Sequence, residues 1–414
     1  DTLAPRTVAG RLFTLPENRS NGAISAVSGE TLYKTAAPNL SNTLFGRLAG
    51  LTAVQNFGEP GNDDAALGIR GSGSYGYGAY GAFKIFVDGF ETNYNYFRYL
   101  APSEIEEISI LKDAAALATF GMRGANGIIW VTTKRGKAGK PSVQFRTRTS
   151  VQKPNNLYRP LDAWHFASLY NQAVSNDNGN VWQPYYSEEE LQSYKNGAGT
   201  NVDWYDHVLK DKGAYSDADL VFQGGEKNAR YSVIMNYGNQ NGLYNVPKTD
   251  TSSNELFRRY ALRTNLDFDM FRIFEARVSI GARIEEQKMP NYGWQESTYI
   301  NRSSSNTSSP IWNYLASYPS NVYPVRDKAS GNWSGTNLYP NNPVATVSDM
   351  GWRYYKTRVL QGNFELKEKL DGILEGLYAK EAYSFNSVAL VNYNKTSNFE
   401  RYQDGVKTTN DQAT

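Results

Sequence analysis

In the stretch "SVQFRTRTSV", Ser142 to Val151, Val143, Phe145, Thr147, Thr149 and Val151 alternate with Gln144, Arg146, Arg148 and Ser150. A period of two predicts a strand whose faces meet different surroundings. "RRYALRTNLDFDM" repeats the pattern, with Tyr260, Leu262, Thr264, Leu266, Phe268 and Met270 set against Arg259, Arg263, Asn265, Asp267 and Asp269. "RIFEARVSIGARIEE" sets Ala276, Val278, Ile280, Ala282 and Ile284 against Glu275, Arg277, Ser279, Gly281, Arg283 and Glu285. Such runs persist for about 10 to 13 residues, longer than the roughly 5 to 6 of sandwich strands and enough for a tilted strand to cross a bilayer. Further strands are expected at 220–223, 231–237, 357–367 and 377–385, with Glu381 leaving the outward face of the last one open. A tight turn near "FDMFR" alternates with long connections such as 291–353, the pattern of an outer-membrane barrel. A soluble antiparallel sheet with one wet face carries the same alternation, and strand length favours the barrel.

Before Pro141 the texture is compact and mixed. The pattern predicts a short helix over about 41–48 stopped by Gly50, then strands at 52–55, 67–70 and 83–87. Ser103 with Glu106 has capping-box spacing, followed by a strand at 108–111 and a short alanine-rich helix at 114–119. "GIIWVTTKRG" closes this half as a strand stopped by Gly136. The expected architecture is thus a mixed α/β unit at 1–140 followed by antiparallel strands at 141–414.

Composition narrows the chemistry. The 414 residues carry a net charge of +2, which gives no reason to expect a nucleic-acid partner. Thirty tyrosines, eighteen phenylalanines and eight tryptophans accompany a mean hydropathy of −0.58, so the rings are plentiful but not contiguous. No run reaches the roughly 20 apolar residues of a membrane-spanning helix, so a crossing would need a closed barrel. The absence of cysteine removes thiol nucleophiles, thiolate metal sites and disulfides. Only His165 and His207 could serve as imidazole bases, and both read as structural. Paired carboxylates occur at Asp63–Asp64 and Glu106–Glu107, but neighbours on an extended chain point apart and no partner base accompanies them. No enzyme, cofactor or metal is expected.

Two motifs invite rejection. Gly71, Gly73 and Gly76 form a GxGxxG, but the tyrosine- and glycine-rich run after it is a poor helix start and leads to a strand, whereas a dinucleotide fold needs a helix there. Counting Asp177 as the first position of a calcium loop puts Trp182 where an EF-hand requires glycine. In the same connection Ser187, Glu190 and Gly197 predict a capped helix with a glycine stop.

The runs "LFGRLAGLTAV", "PGNDDAALGIRGSGS", "FKIFVDGF" and "LAPSEIEEISILKDAAALATFGMRGANGIIWVTTKRGKAG" resemble the plug domain of TonB-dependent outer-membrane transporters over about residues 20–140. "LKDAAALATFGMRGANG" is similar to the SusC/RagA-like branch, and "VFQGGEKNARYSVIMNYGNQNGLY" resembles that branch's early barrel strands. Lys84 and Met122 depart from the usual residues without breaking the pattern, and no segment among the first twenty residues fits a TonB box well. The resemblance implies a plug inside a barrel of about 22 strands. Residues 141–414 are expected to supply eight or nine of them, so that more chain or a second piece would close the barrel.

It further implies active import of oligosaccharide or peptide across the outer membrane, energised by TonB with ExbB and ExbD and capped by a SusD-like surface lipoprotein. A siderophore or cobalamin receptor and a secreted glycan-binding β protein are the alternatives. Arg70, Gly71, Asp88, Gly89, Lys112, Asp113, Arg123, Gly124 and Asn126 fall in the plug motifs. Arg70 and Arg123 are expected to make water-exposed, exchangeable ion pairs with the barrel wall. Tyr75, Tyr77 and Tyr80, with Tyr94, Tyr96, Phe97 and Arg98, are expected to contact cargo, because amphipathic rings suit sugars and peptide backbones.

Overall fold

The computed structural model describes residues 22–55, 58–71, 83–154, 158–247, 249, 252–291 and 310–402, with the backbone of a short antiparallel pair, β1 (Thr7–Ala9) and β2 (Thr14–Pro16). Tyr75, Tyr77 and Tyr80 lie outside the described residues.

The N-terminal unit is built on a five-stranded sheet. Its order is β3 (Ile24–Ser28), β8 (Ile105–Leu111), β9 (Ile128–Thr133), β6 (Lys84–Val87) and β7 (Phe90–Thr92). A separate hairpin pairs β4 (Leu51–Gln55) with β5 (Ala65–Ile69). The near-continuous apolar runs of β8 and β9 reflect burial on both faces, and Ile108, Ile110, Ile129 and Val131 pack with Leu32 and Phe97 in one core. Between β6 and β7 the two turn residues Asp88 and Gly89 have φ of 50° and 90°, the left-handed pair that a tight hairpin with native twist demands. The Asp88 carboxylate accepts from the Thr133 N–H (2.9 Å) and hydroxyl (2.5 Å), fastening the turn to the end of β9.

Local expectations differ from the structure at two places. Over 41–48 there is only a 3₁₀ turn, Leu40–Leu44, whose Leu40, Ser41, Thr43 and Leu44 are all buried and which cannot continue through Gly46 at φ 66°. Ser103 and Glu106 form no capping box. Instead Glu104 accepts from the Ala101 N–H (3.1 Å) around a 3₁₀ turn, Pro102–Glu104, and β8 starts directly after it. The Ser103 hydroxyl turns away to Asp219 of the second sheet.

That second sheet has seven antiparallel strands in the order β10 (Gly139–Gln152), β11 (Gly213–Glu226), β12 (Ala229–Asn241), β13 (Leu256–Met270), β14 (Phe274–Pro290), β16 (Gly351–Lys369) and β17 (Tyr378–Thr396). Eight or nine were expected. The described sheet has seven, each longer than its alternating core, and it is not closed into a barrel. A two-residue pair, β15 (Trp333–Ser334) with β18 (Arg401–Tyr402), lies apart from it. Register settles the face of Glu381: it pairs with Leu366 on the apolar side, three pairs from the short-turn end.

The turns joining β11–β12, β13–β14 and β16–β17 are short, whereas the connections at the other end are long and folded. They carry helices α4 (Ala163–Asp177), α5 (Glu188–Lys195), α6 (Trp204–Val208), α7 (Pro310–Ser317) and α8 (Pro343–Ser348), in addition to α1 (Gly29–Tyr33), α2 (Tyr94–Phe97) and α3 (Ala114–Leu117) of the N-terminal unit. The predicted capping box of α5 is present, with Ser187 and Glu190 exchanging hydrogen bonds and Gly197 at φ 77°. Trp204, Val208, Tyr244, Ile311, Leu315 and Val347 bring three long connections into a second apolar core. His165 is exposed and contacts the carboxylate of Asp162, the α4 cap.

Candidate functional site at the seam between the two sheets

The charged face of the long sheet meets the N-terminal unit. From β13, Arg263 donates to Glu104 (2.6 Å) and to the Tyr96 hydroxyl (2.6 Å). Both members of the ion pair are at least 95% buried. Four residues earlier on the same face, Arg259 donates to the carbonyls of Pro38 (2.8 Å) and Tyr99 (3.3 Å). Asn265 reaches the Thr133 hydroxyl and the Lys134 carbonyl, each at 2.8 Å. Arg135, just past β9, pairs with Asp267 at 2.7 Å. These positions share a face because their spacing is even, which is how one strand meets a whole surface.

A second cluster joins α1 to the edge strand β10. Arg148 is held by Asp217 (2.8 Å), lies 4.1 Å over the Tyr33 ring and donates to the Tyr33 and Thr35 carbonyls. Glu30 bridges Lys134 (3.1 Å) and Arg146 (3.0 Å). Partial burial would raise the Glu30 pKa, but these two cations hold it below the ordinary carboxylate range. Glu104 shows the same contest more sharply: burial pushes its pKa up, and the charge and hydrogen bond of Arg263, with the Ala101 N–H, bring it below the ordinary value.

The opposite face of the long sheet is apolar and exposed, with Phe145, Met235, Leu262, Ile280, Leu360 and Phe364 among its side chains. Between the two units lies a cavity of about 260 Å³, lined by Asn95, Tyr96, Arg98, Glu285, Thr357 and Val388 among others. Among the described residues no group of three or more potential ligands could hold a metal ion.

The positions expected from sequence fall unevenly. Tyr96 is buried under Arg263 and Arg283, Phe97 is in the core, and Arg98 is buried in an ion pair with Asp64 (2.7 Å). Tyr94 is half-buried and bonds the Ala65 carbonyl. Phe97 is therefore closed off in the core, which corrects the expectation that it faces cargo, whereas Tyr96 and Arg98, although bonded within the protein, still line the cavity between the two units. Arg70 stands exposed at φ 54° beside Gly50, with Gly71 at φ 88°. Arg123 pairs with Glu91, which also takes Lys84 at 3.1 Å. So Arg70 and Arg123 make no ion pair with the long sheet among the described residues; of the pairs that do, Arg263–Glu104 and Arg135–Asp267 are mostly buried, whereas Glu30–Arg146 is partly open to water. Asp113 caps α3, accepting from Ala116 N–H (2.8 Å) and Ala23 N–H (2.5 Å), and these bonds lower its pKa. Lys112 donates to the Ala49 carbonyl, Gly124 packs under Phe120 and Leu117, and Asn126 lies in the turn leading to β9.

Comparison with known proteins bears on this arrangement. Residues 16–128 match the model of the TonB-dependent Receptor Plug Domain. The chain carries a TonB-dependent receptor plug. It is homologous to TonB-dependent receptor P3 of Formosa agariphila, at 33% identity over 64% of this chain and 23% of that one. TonB-dependent receptor SusC of Bacteroides thetaiotaomicron is 30% identical over 60% of this chain and 23% of that one. The chain thus spans about a quarter of these curated relatives. A solved structure of the RagAB peptide importer in its open-open state has the same fold, with a TM-score of 0.71 and 18% identity over 94% of this chain and 43% of that one. The plug followed by antiparallel barrel-type strands is therefore the fold of this chain, and Glu104, Tyr33, Glu30 and Arg135 are plug residues that meet the wall. Sequence reading missed them because alternation marks a face on a strand and says nothing about what will cover it.

Proposed function

We propose that residues 1–140 are the plug, and 141–414 an early part of the wall, of an outer-membrane importer that takes up oligosaccharide, or in the second place peptide. TonB, with ExbB and ExbD, supplies the energy, and a SusD-like surface lipoprotein closes the mouth over the cargo. The observation that carries this reading is the division of one sheet into an exposed apolar face, suited to lipid, and a charged face filled by a plug. Irregular backbone at membrane depth is tolerated where protein covers it, as the plug is covered here. Cargo specificity belongs to the cavity beside Asn95 and Thr357 and to the aromatic run that holds Tyr75, Tyr77 and Tyr80.

The test is fractionation followed by uptake. The protein should sediment with outer membrane, co-purify in mild detergent with an acylated lipoprotein, and support uptake of labelled oligosaccharide that stops when the proton gradient is collapsed. Uptake of labelled peptide alone would select the peptide cargo. A protein found only in the soluble fraction would end the import reading in favour of a secreted binding protein.

A further inference from the structure

The plug loop 58–64 reaches the second apolar core. Glu59 is buried at the tip of this loop, where its Oε1 accepts from the Trp312 indole N–H of α7 (2.8 Å) and from the Tyr244 hydroxyl (3.3 Å). Tyr244 comes from the β12–β13 connection and Trp312 from the β14–β16 connection, so one carboxylate joins two separate long loops. The turn around it is equally fixed. Asn62 N–H closes it on the Glu59 carbonyl (2.8 Å), Gln287 of β14 donates to the Pro60 carbonyl (2.8 Å), and the Tyr99 hydroxyl donates to Gly61 (2.9 Å). Gly61 sits at φ 74° where an added Cβ would lie 2.7 Å from the Phe257 ring, so the wall is shaped to this turn.

The loops on the other side of the contact form a body of their own. Leu209 bridges to Tyr244, Asn245 N–H donates to Val208, and Val202 N–H donates to Ser320, so α6 is tied to both loops. Val347 of α8 is wholly buried in the same core and is neither of the two side chains that donate to Glu59 Oε1. A disturbance in the loop core therefore has a short, bonded path into the plug, through Tyr244 and Trp312 to Glu59.

We propose that Glu59 is a positioning residue that couples the packing of the long loops to the order of plug loop 58–64. Glu59 takes no part in binding cargo; it acts through Tyr244 and Trp312. The inference rests on the import reading for its purpose, since loop packing is what cargo or a closing lid would alter, but not for its test.

The test is hydrogen exchange of the whole protein in detergent, followed by mass spectrometry of peptides covering 58–64, 202–209 and 311–318, with 105–111 as the control. Val347→Ala opens a cavity in the loop core and should speed exchange there about tenfold. Coupling requires that 58–64 also speed up while 105–111 does not. In a Glu59→Ala background, 58–64 should be fast already and Val347→Ala should change it no further, a non-additivity that a merely local structural role does not produce. Glu59→Gln keeps an accepting oxygen and should restore the wild-type response. If Glu59→Ala does not assemble, Trp312→Phe keeps the ring, removes the donor and should give the same loss of coupling. A 58–64 segment indifferent to Val347→Ala, or additive effects in the double variant, would overturn the proposal. Uptake does not enter these readouts, so lost uptake with intact coupling would count against the import reading alone.

Discussion

The interior of the plug and its seam with the long sheet are both buried, but they are made of opposite materials. Inside the plug, Leu32, Ile108, Ile110, Ile129 and Val131 touch one another, and the favourable term is removal of apolar surface from water. Along the seam, Arg259, Arg263, Asn265 and Asp267 meet Glu104, Tyr96, Arg135 and backbone carbonyls. Buried ion pairs exchange hydration for mutual attraction and add little net stability, though removing one partner is costly. An apolar core gains nothing from water entering it, whereas every group of the seam can be rehydrated. The plug interior and its seam are thus both specific, but only the seam is made of groups that water can satisfy.

Neighbouring positions of β13 break or sharpen this contrast. Arg263→Ala leaves Glu104 buried without its cation and should weaken plug attachment by about 3–5 kcal/mol, seen as faster exchange of plug backbone facing the wall. The paired change Arg263→Met with Glu104→Leu should recover most of that loss, because no charge is left stranded. One residue along, Leu262→Arg puts a charge on the apolar outer face and should cost about 2–4 kcal/mol near mid-membrane, read as reduced assembly into bilayers with the plug seam intact. Equal sensitivity of both faces to apolar substitution would mean the sheet has no inside and outside.

A graded effect is expected inside the plug loop. Asp63 is buried beside Asn39, and burial, together with the Asp64 charge, raises its pKa to about 7 despite the Asn39 hydrogen bond. The folded loop therefore holds the Asp63 proton more tightly than the unfolded chain does. Its stabilising contribution is full below the ordinary value of 3.8 and is lost as pH rises through about 7. Protection of 58–64, taken relative to the base-catalysed intrinsic exchange rate, should fall as pH rises from about 4 to about 7 and level off above that, and Asp63→Asn should flatten this dependence.

The smallest change is expected at Arg123. Its pair with Glu91 is largely exposed and stays within the plug. Arg123→Ala should cost about 0–1 kcal/mol in thermal unfolding and leave exchange along the seam unchanged. A large loss of plug attachment would make Arg123 a wall contact after all.

Much of this was legible in the chain because it is local. The alternation of β10, β13 and β14 names the inward side chains correctly, since a strand turns every second residue the same way. Ser187 with Glu190 announces α5, because those residues bond within a few positions of themselves. Glu381 and the strand ends were not legible: where alternation weakens, only pairing with a neighbouring strand fixes the face and the length.

What the sequence by itself determined is a mixed unit followed by two-faced strands, with arginine and carboxylates on one side and apolar residues on the other. Which groups meet was decided only by tertiary structure. Glu104 finds Arg263 across 159 residues, and Glu59 finds Trp312 across 253. Tyr96, Phe97 and Arg98 have the composition of a binding surface, yet Tyr96 bonds Arg263 of the long sheet, Phe97 packs in the plug core and Arg98 pairs with Asp64. Periodicity is written by each residue's nearest neighbours, whereas partnership depends on how two sheets are laid together, and no local pattern carries that.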